Sequence, residues 1–171
     1  MTGLPCDPPS TEDLATVQAQ LGRTPRNVLG VAARCVCGAP TVVVTAPRLD
    51  DGTPFPTFYY LSHPAATAAI STLEATQVMA EYQELLAEDQ SIQASYRKAH
   101  EQYIADRESS EVVAEIAGIS VGGMPTRVKC LHALAAHSLA VGPGVNPIGD
   151  RALARSDWSP NICYCLIPLA E

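Results

Sequence analysis

The chain has 171 residues, 47% hydrophobic and 17% charged, which suits one globular domain that needs no staples to fold. Its net charge of −7 and the lack of a basic stripe argue against a nucleic-acid partner, although a local basic pocket could hold one phosphate group. No window approaches the ~20 apolar residues of a membrane span, and Met1–Ser10 lacks the basic start and apolar run of a secretory signal. The expectation is a cytoplasmic protein with neither a membrane nor a nucleic-acid partner.

Residues 1–9 read as a disordered lead, residues 10–153 as one domain and residues 154–171 as a tail with weak signals. "STEDLATVQAQLGR" reads as a short helix: Ser10 or Thr11 can cap it, acids fill its first turn and Gly22 ends it. "NVLGVAARC" and "TVVVTAPRL" read as two strands of a hairpin closed by "CGAP", and "PTFYYLS" as a third, aromatic strand after a turn-rich loop. His63-Pro64 opens a helical region in which Ile70, Leu73, Val78, Tyr82 and Leu85 recur at roughly helical spacing. "EDQSI" around Asp89 breaks it, and a second helix follows over Ile92–Arg107. "EVVAEIAGISVGG" fits helix or strand. A further helix is expected over Pro125–Val141, stopped by Gly142-Pro143-Gly144 and followed by a turn and one helical turn in "GVNPIGDRAL". The pattern predicts an α+β fold, a small antiparallel sheet of about three strands packed against three or four helices.

Six cysteines stand in the chain: Cys6, Cys35, Cys37, Cys130, Cys163 and Cys165. Without a secretory signal, free thiols, metal ligation or redox chemistry are favoured over disulfides. Cys35 and Cys37 end the first strand in "RCVCG", which resembles half of a zinc knuckle at a shorter spacing than CxxC. One of these with Cys130 and a histidine would make a Cys/His zinc site; the alternative is buried, small apolar side chains. Cys163 and Cys165 are given no role.

The expected helix after Gly122 and Gly123 carries several reactive residues. Free N–H groups at a helix start attract anions, and Arg127 and Lys129 add charge, so a phosphate or carboxylate could bind there. Against this, helix starts prefer acids, which fits a plain Gly-rich turn with solvent-facing basic residues. On a regular helix Cys130 and His137 lie ~20° apart but ~10.5 Å along the axis, while His132 points ~160° away from Cys130. The three therefore cannot share one ion unless the helix start is irregular.

Tyr96, His100, Tyr103 and Arg107 recur at helical spacing and form one stripe. A core stripe is usually aliphatic. This one suggests the polar wall of a pocket, with His100 as an acid or base, or else a half-exposed face under a loop. Arg48, with Asp50 and Asp51, and Asn146 with Asp150 stand in loops of the kind that carry ligand contacts or serve as surface turns.

The stretches "LGRTPRNVLGVAARC", "APRLDDGTPFPTFYYL", "YRKAHEQY" and "GGMPTRVKCLHALAAHSLAVGPGVNPIGD" resemble a bacterial family, domain of unknown function number 501, over most of residues 20–153. The resemblance implies a small cytoplasmic protein and brings no established activity. It stresses Cys35 over Cys37, which favours Cys35 with Cys130, and His137 then completes the candidate metal set. The tail after about Ala154 lies outside the resemblance.

Two functional classes follow. In one, the protein binds a small anionic ligand, as an enzyme or a receptor: His100, Cys130 and His132 do the chemistry, and Arg48, Tyr96, Tyr103, Arg107, Gly122, Gly123, Arg127, Lys129, Asn146 and Asp150 hold the ligand. In the other, a structural Cys/His metal site supports a protein that binds a protein partner, or several cysteines form a redox or iron–sulfur sensor. Zinc is the leading cofactor candidate, ahead of an iron–sulfur cluster. No Ser-His-Asp set, phosphate loop or dinucleotide fingerprint is recognisable, so whether the protein is an enzyme stays open.

Overall fold

The computed structural model describes residues 4–165. The architecture is α+β. Three antiparallel strands, β1 (Val28–Arg34), β2 (Pro40–Thr45) and β3 (Tyr59–Leu61), lie in the order β1-β2-β3. Around them pack α1 (Thr11–Leu21), α2 (Pro64–Glu74), α3 (Val78–Glu88), α4 (Gln90–Glu108), α5 (Leu131–Val141) and α6 (Pro147–Arg155).

The strands follow from the β-branched run of "PTVVVT". Every residue of β2 is buried, so the central strand is covered on both faces. Val42 and Val44 join the main core with Leu131 and Leu134 of α5, while Val43 lines a cleft with Leu21 at the end of α1. Leu131 and Leu134 are fully buried, and each contributes about 2 kcal/mol of apolar burial. α5 is thus the central helix, in contact with the sheet, α2 and α6.

Local chemistry sets the boundaries. Ser10 and Asp13 form a reciprocal capping box on α1, and Gly22 closes it in the left-handed region. Asp89 breaks the helical region by capping the next helix: its carboxylate accepts from the Ser91 and Ile92 N–H groups. Together with the break after Glu74, it divides the stretch expected to hold two helices into three. Asn146 caps α6, which runs to nine residues where a single turn was expected. The described residues therefore hold six α-helices, more than the three or four expected. "EVVAEIAGISVGG" forms neither helix nor strand of any length: it holds one 3₁₀ turn at Ala114–Ile116, anchored by buried Val113 and Ile116.

The helix expected from Pro125 begins six residues later. Gly122–Lys129 is a closed loop, in which the Arg127 N–H donates to the Gly123 carbonyl and the Lys129 N–H to the Gly122 carbonyl, each at 2.8 Å. These residues spend their backbone groups on the loop, and Cys130, in extended conformation, is the cap residue of α5.

Both ends of the described chain are tied down. Asp7 exchanges two backbone hydrogen bonds with Val31, so the part of the expected disordered lead that is described adds to the β1 edge. Gly30 permits this crossing, because a Cβ there would lie 2.3 Å from Cys6 Sγ. At the other end Trp158 is 4% exposed, and the Val36 N–H donates to the Pro160 carbonyl. No helix among the described residues is long and apolar enough to cross a membrane.

Candidate metal centre

β1 ends at Arg34, and the next residues turn sharply. The Cys35 N–H donates to the Ala39 carbonyl and the Gly38 N–H to the Cys35 carbonyl, both at 2.8 Å. This tight turn brings the Cys35 and Cys37 thiols to one side. After α6 the chain folds back over the turn, held by buried Trp158 and the Val36–Pro160 bond, and delivers Cys163 and Cys165. The four sulfurs lie within 4.8 Å of one another, with Cys37 and Cys165 at 3.4 Å. Zn–S bonds of ~2.3 Å in a tetrahedron place sulfurs ~3.8 Å apart, so the cluster has the compactness of a single-ion Cys₄ site.

His63 adds a neighbour. Its Nδ1 accepts the Ala66 N–H at the start of α2, which leaves the neutral ring's proton on Nε2, 3.2 Å from Cys165 Sγ. An N–H aimed at a sulfur favours the thiolate, as outer-shell donors do around metal sites. Cys37 is pulled down to about 7 by the Ala39 N–H and by its neighbouring thiols. Burial pushes Cys35 up, and burial and the other three thiols push Cys165 up strongly. One thiolate forms readily here, and four cannot coexist at these distances without a cation.

Glu74, Cys130 and His132 make a second cluster, also within 4.8 Å. Glu74 Oε1 accepts the Leu131 N–H at 2.6 Å and stands 3.2 Å from His132 Nδ1. His132 is pushed up to about 9 by its hydrogen bond to Cys130 and by Glu74, against partial burial.

The residues expected to share sites lie in several places. Cys35 joins the four-thiol cluster, Cys130 the Glu74 cluster and His137 the core, so the set Cys35, Cys130 and His137 does not assemble. His137 is fully buried; its Nδ1 accepts from Asn146 Nδ2 at 3.2 Å, its ring stacks on Tyr59, and burial lowers it to about 4. Tyr96, Tyr103 and Arg107 are core residues. Tyr96 donates to the Arg127 carbonyl, Tyr103 accepts the Phe58 N–H at 2.7 Å, and Arg107 donates to the Ile116 and Ile119 carbonyls. His100 bonds to Ser120 and faces neither Cys130 nor His132 at hydrogen-bond distance. The expected pocket wall is thus the inner face of α4, with its polar ends spent on loop backbone and on the Ser120 hydroxyl.

The expected anion site at Gly122 and Gly123 is a closed loop with Arg127 and Lys129 exposed, while the true start of α5 carries the Glu74 carboxylate. Arg48 pairs with Glu115 and the Gly52 carbonyl, Asp150 accepts the Gly144 N–H, and Asn146 caps α6.

Sequence reasoning left Cys163 and Cys165 unassigned, although "CVC" and "CYC" share one spacing and were a usable signal. Glu74 had no local signal, because it meets Cys130 only through the packing of α2 on α5.

Fold and site together define an α+β domain with a four-thiol cluster that joins its sheet to its C-terminal tail. The model of the family described as protein of unknown function (DUF501) matches residues 31–154, and the chain belongs to that family. The match includes Cys35, Cys37, Glu74, Cys130 and His132 and ends before Cys163 and Cys165. No curated protein and no solved structure matches the chain.

Proposed function

We propose that this is a metal protein in which Cys35, Cys37, Cys163 and Cys165 hold one zinc-type ion that clamps the tail to the domain. The observation that carries the reading is the convergence within 4.8 Å of four sulfurs from two distant segments, the turn after β1 and the stretch after α6. A closed Cys₄ shell is the pattern of a structural site, with no position left for substrate. The clamp fixes a surface for a protein partner, in a cytoplasmic protein whose thiols stay reduced. The sulfurs lie too close together for an iron–sulfur cluster, whose thiolates bind different irons.

The experiment is metal analysis of protein purified without chelator or oxygen, beside a Cys163→Ser/Cys165→Ser variant. One zinc equivalent lost in the variant is the expected result. A variant that keeps all its metal, or a wild-type chain that takes up no zinc on titration, overturns the reading. Iron with visible absorbance would replace it with the sensor.

A second reading keeps the small anionic ligand. A cleft of about 270 Å³ between α1 and the sheet is lined by Arg23, Arg26, Thr45 and Tyr60. Two guanidiniums beside hydroxyl donors suit a phosphate or carboxylate. Inorganic phosphate should raise the melting temperature of wild type and not of Arg23→Ala/Arg26→Ala; an equal response in both would sink this reading.

A further inference from the structure

The Glu74 cluster lies apart from the clamp, and its hydrogen bonds define its charge. His132 Nε2 is 3.2 Å from the Thr67 carbonyl and 3.1 Å from Ser71 Oγ. A carbonyl only accepts, so Nε2 carries a proton. In neutral His132 the Nδ1 lone pair would then face Glu74 Oε1 at 3.2 Å, lone pair against lone pair. Nδ1, the carboxylate and Cys130 Sγ thus face one common point. A proton on Nδ1 can point at one of these partners. A metal ion engages all three, and the three ligand atoms already lie within 4.8 Å of one another.

The scaffold supports coordination. Cys130 is the extended cap residue of α5, outside the helical spiral, so its thiol swings to the side of His132. The imidazole is oriented by its Nε2–H bond to the Thr67 carbonyl, the outer-shell arrangement of metal-bound histidines. Glu74 is fixed by the Leu131 N–H at 2.6 Å, and its second oxygen remains available. The side chains of His132 and Glu74 are 26% and 24% exposed, so the cluster opens to solvent.

We propose that Glu74, Cys130 and His132 form a second metal site, an open one, for a thiophilic divalent ion of the zinc class. One thiolate, one imidazole and one carboxylate select zinc over magnesium or calcium, which prefer all-oxygen shells. Three protein ligands leave a fourth position for water or for an anionic donor from a ligand. That distinguishes this site from the closed Cys₄ clamp.

The test uses the full chain and zinc itself, with stoichiometry read by elemental analysis and site identity by cobalt substitution. Wild type should hold two equivalents. Cys130→Ser should hold one and keep the intense thiolate-to-cobalt bands of a four-sulfur site. Cys163→Ser/Cys165→Ser should hold one and show only the weaker bands of a single thiolate. Glu74→Gln can still accept the Leu131 N–H, so the helix start stays capped, and it should bind the second ion at least tenfold more weakly.

Equal zinc content in wild type and Cys130→Ser overturns the proposal, provided circular dichroism shows both folded. Iodoacetamide gives an independent readout. Zinc should slow alkylation of Cys130 at least tenfold, and an unchanged rate would mean a simple thiol beside an imidazolium. Failure of the tail variant alone to lose metal removes the clamp and leaves this site standing.

Discussion

The inner face of α4 and the thiol cluster are both concentrations of polar side chains, and they differ in where their polar atoms are spent. Tyr96, Tyr103 and Arg107 each meet a backbone group of a neighbouring loop, and His137 meets Asn146. These contacts pair most of the buried polar atoms there, although His137 Nε2 stays buried without a partner. At Cys35, Cys37, Cys163 and Cys165 the donors face one another instead. The His63 ring stands beside them, 3.2 Å from Cys165 Sγ. Residue type alone made the α4 stripe and the pair Cys35 and Cys37 look reactive, and the pairing of their polar atoms separates the two regions.

The largest expected effect breaks this comparison at the cluster. Structural zinc supplies an apparent ~10 kcal/mol or more in small zinc domains. A strong chelator should therefore release the tail, with new proteolytic cleavage after Arg155 and little change in the α4 core. Mass mapping of the fragments checks this; cleavage that is indifferent to chelator would place the tail's stability in Trp158 packing alone.

The core region should respond to substitution without any change in metal. Arg107→Met removes the donors from the Ile116 and Ile119 carbonyls and should cost roughly 3 kcal/mol in urea unfolding at unchanged zinc content. A loss below ~1 kcal/mol would show that those carbonyls find other donors.

An effect of similar size sharpens the comparison through pH. His137 falls from its ordinary 6.5 to about 4 in the fold, because burial disfavours the charged ring. A depressed value means that the unfolded chain takes up the proton first. Stability is full above pH 6.5 and declines as pH falls through about 4, by up to roughly 3 kcal/mol. His137→Gln should flatten that part of the stability profile, and an unchanged slope would assign the acid sensitivity elsewhere.

The sheet and most helix boundaries were legible because they rest on local chemistry. Ser10 and Asp13, Gly22, Asp89 and the valines of β2 each act within a few residues. The helix expected at Pro125 was misplaced because a glycine pair and a proline also suit a closed loop, and only hydrogen bonds within Gly122–Lys129 separate the two. The α4 stripe was legible as a stripe and not as core. Its partners are mostly backbone N–H and carbonyl groups of loops, which belong to nearly every residue and leave no mark in a sequence.

The sequence by itself determined the α+β class, the hairpin of the first two strands and the presence of two CxC motifs. Those follow from periodicity and spacing, which act over short range. Tertiary structure decided which thiols meet. Cys37 and Cys165 are 128 positions apart and touch because Trp158 and the Pro160 carbonyl turn the tail back onto the β1 end. It also decided that Glu74, at the end of one helix, caps another and faces His132. Such contacts are set by how helices and tail pack on the sheet, a property of the whole hydrophobic core that no short stretch of the chain carries.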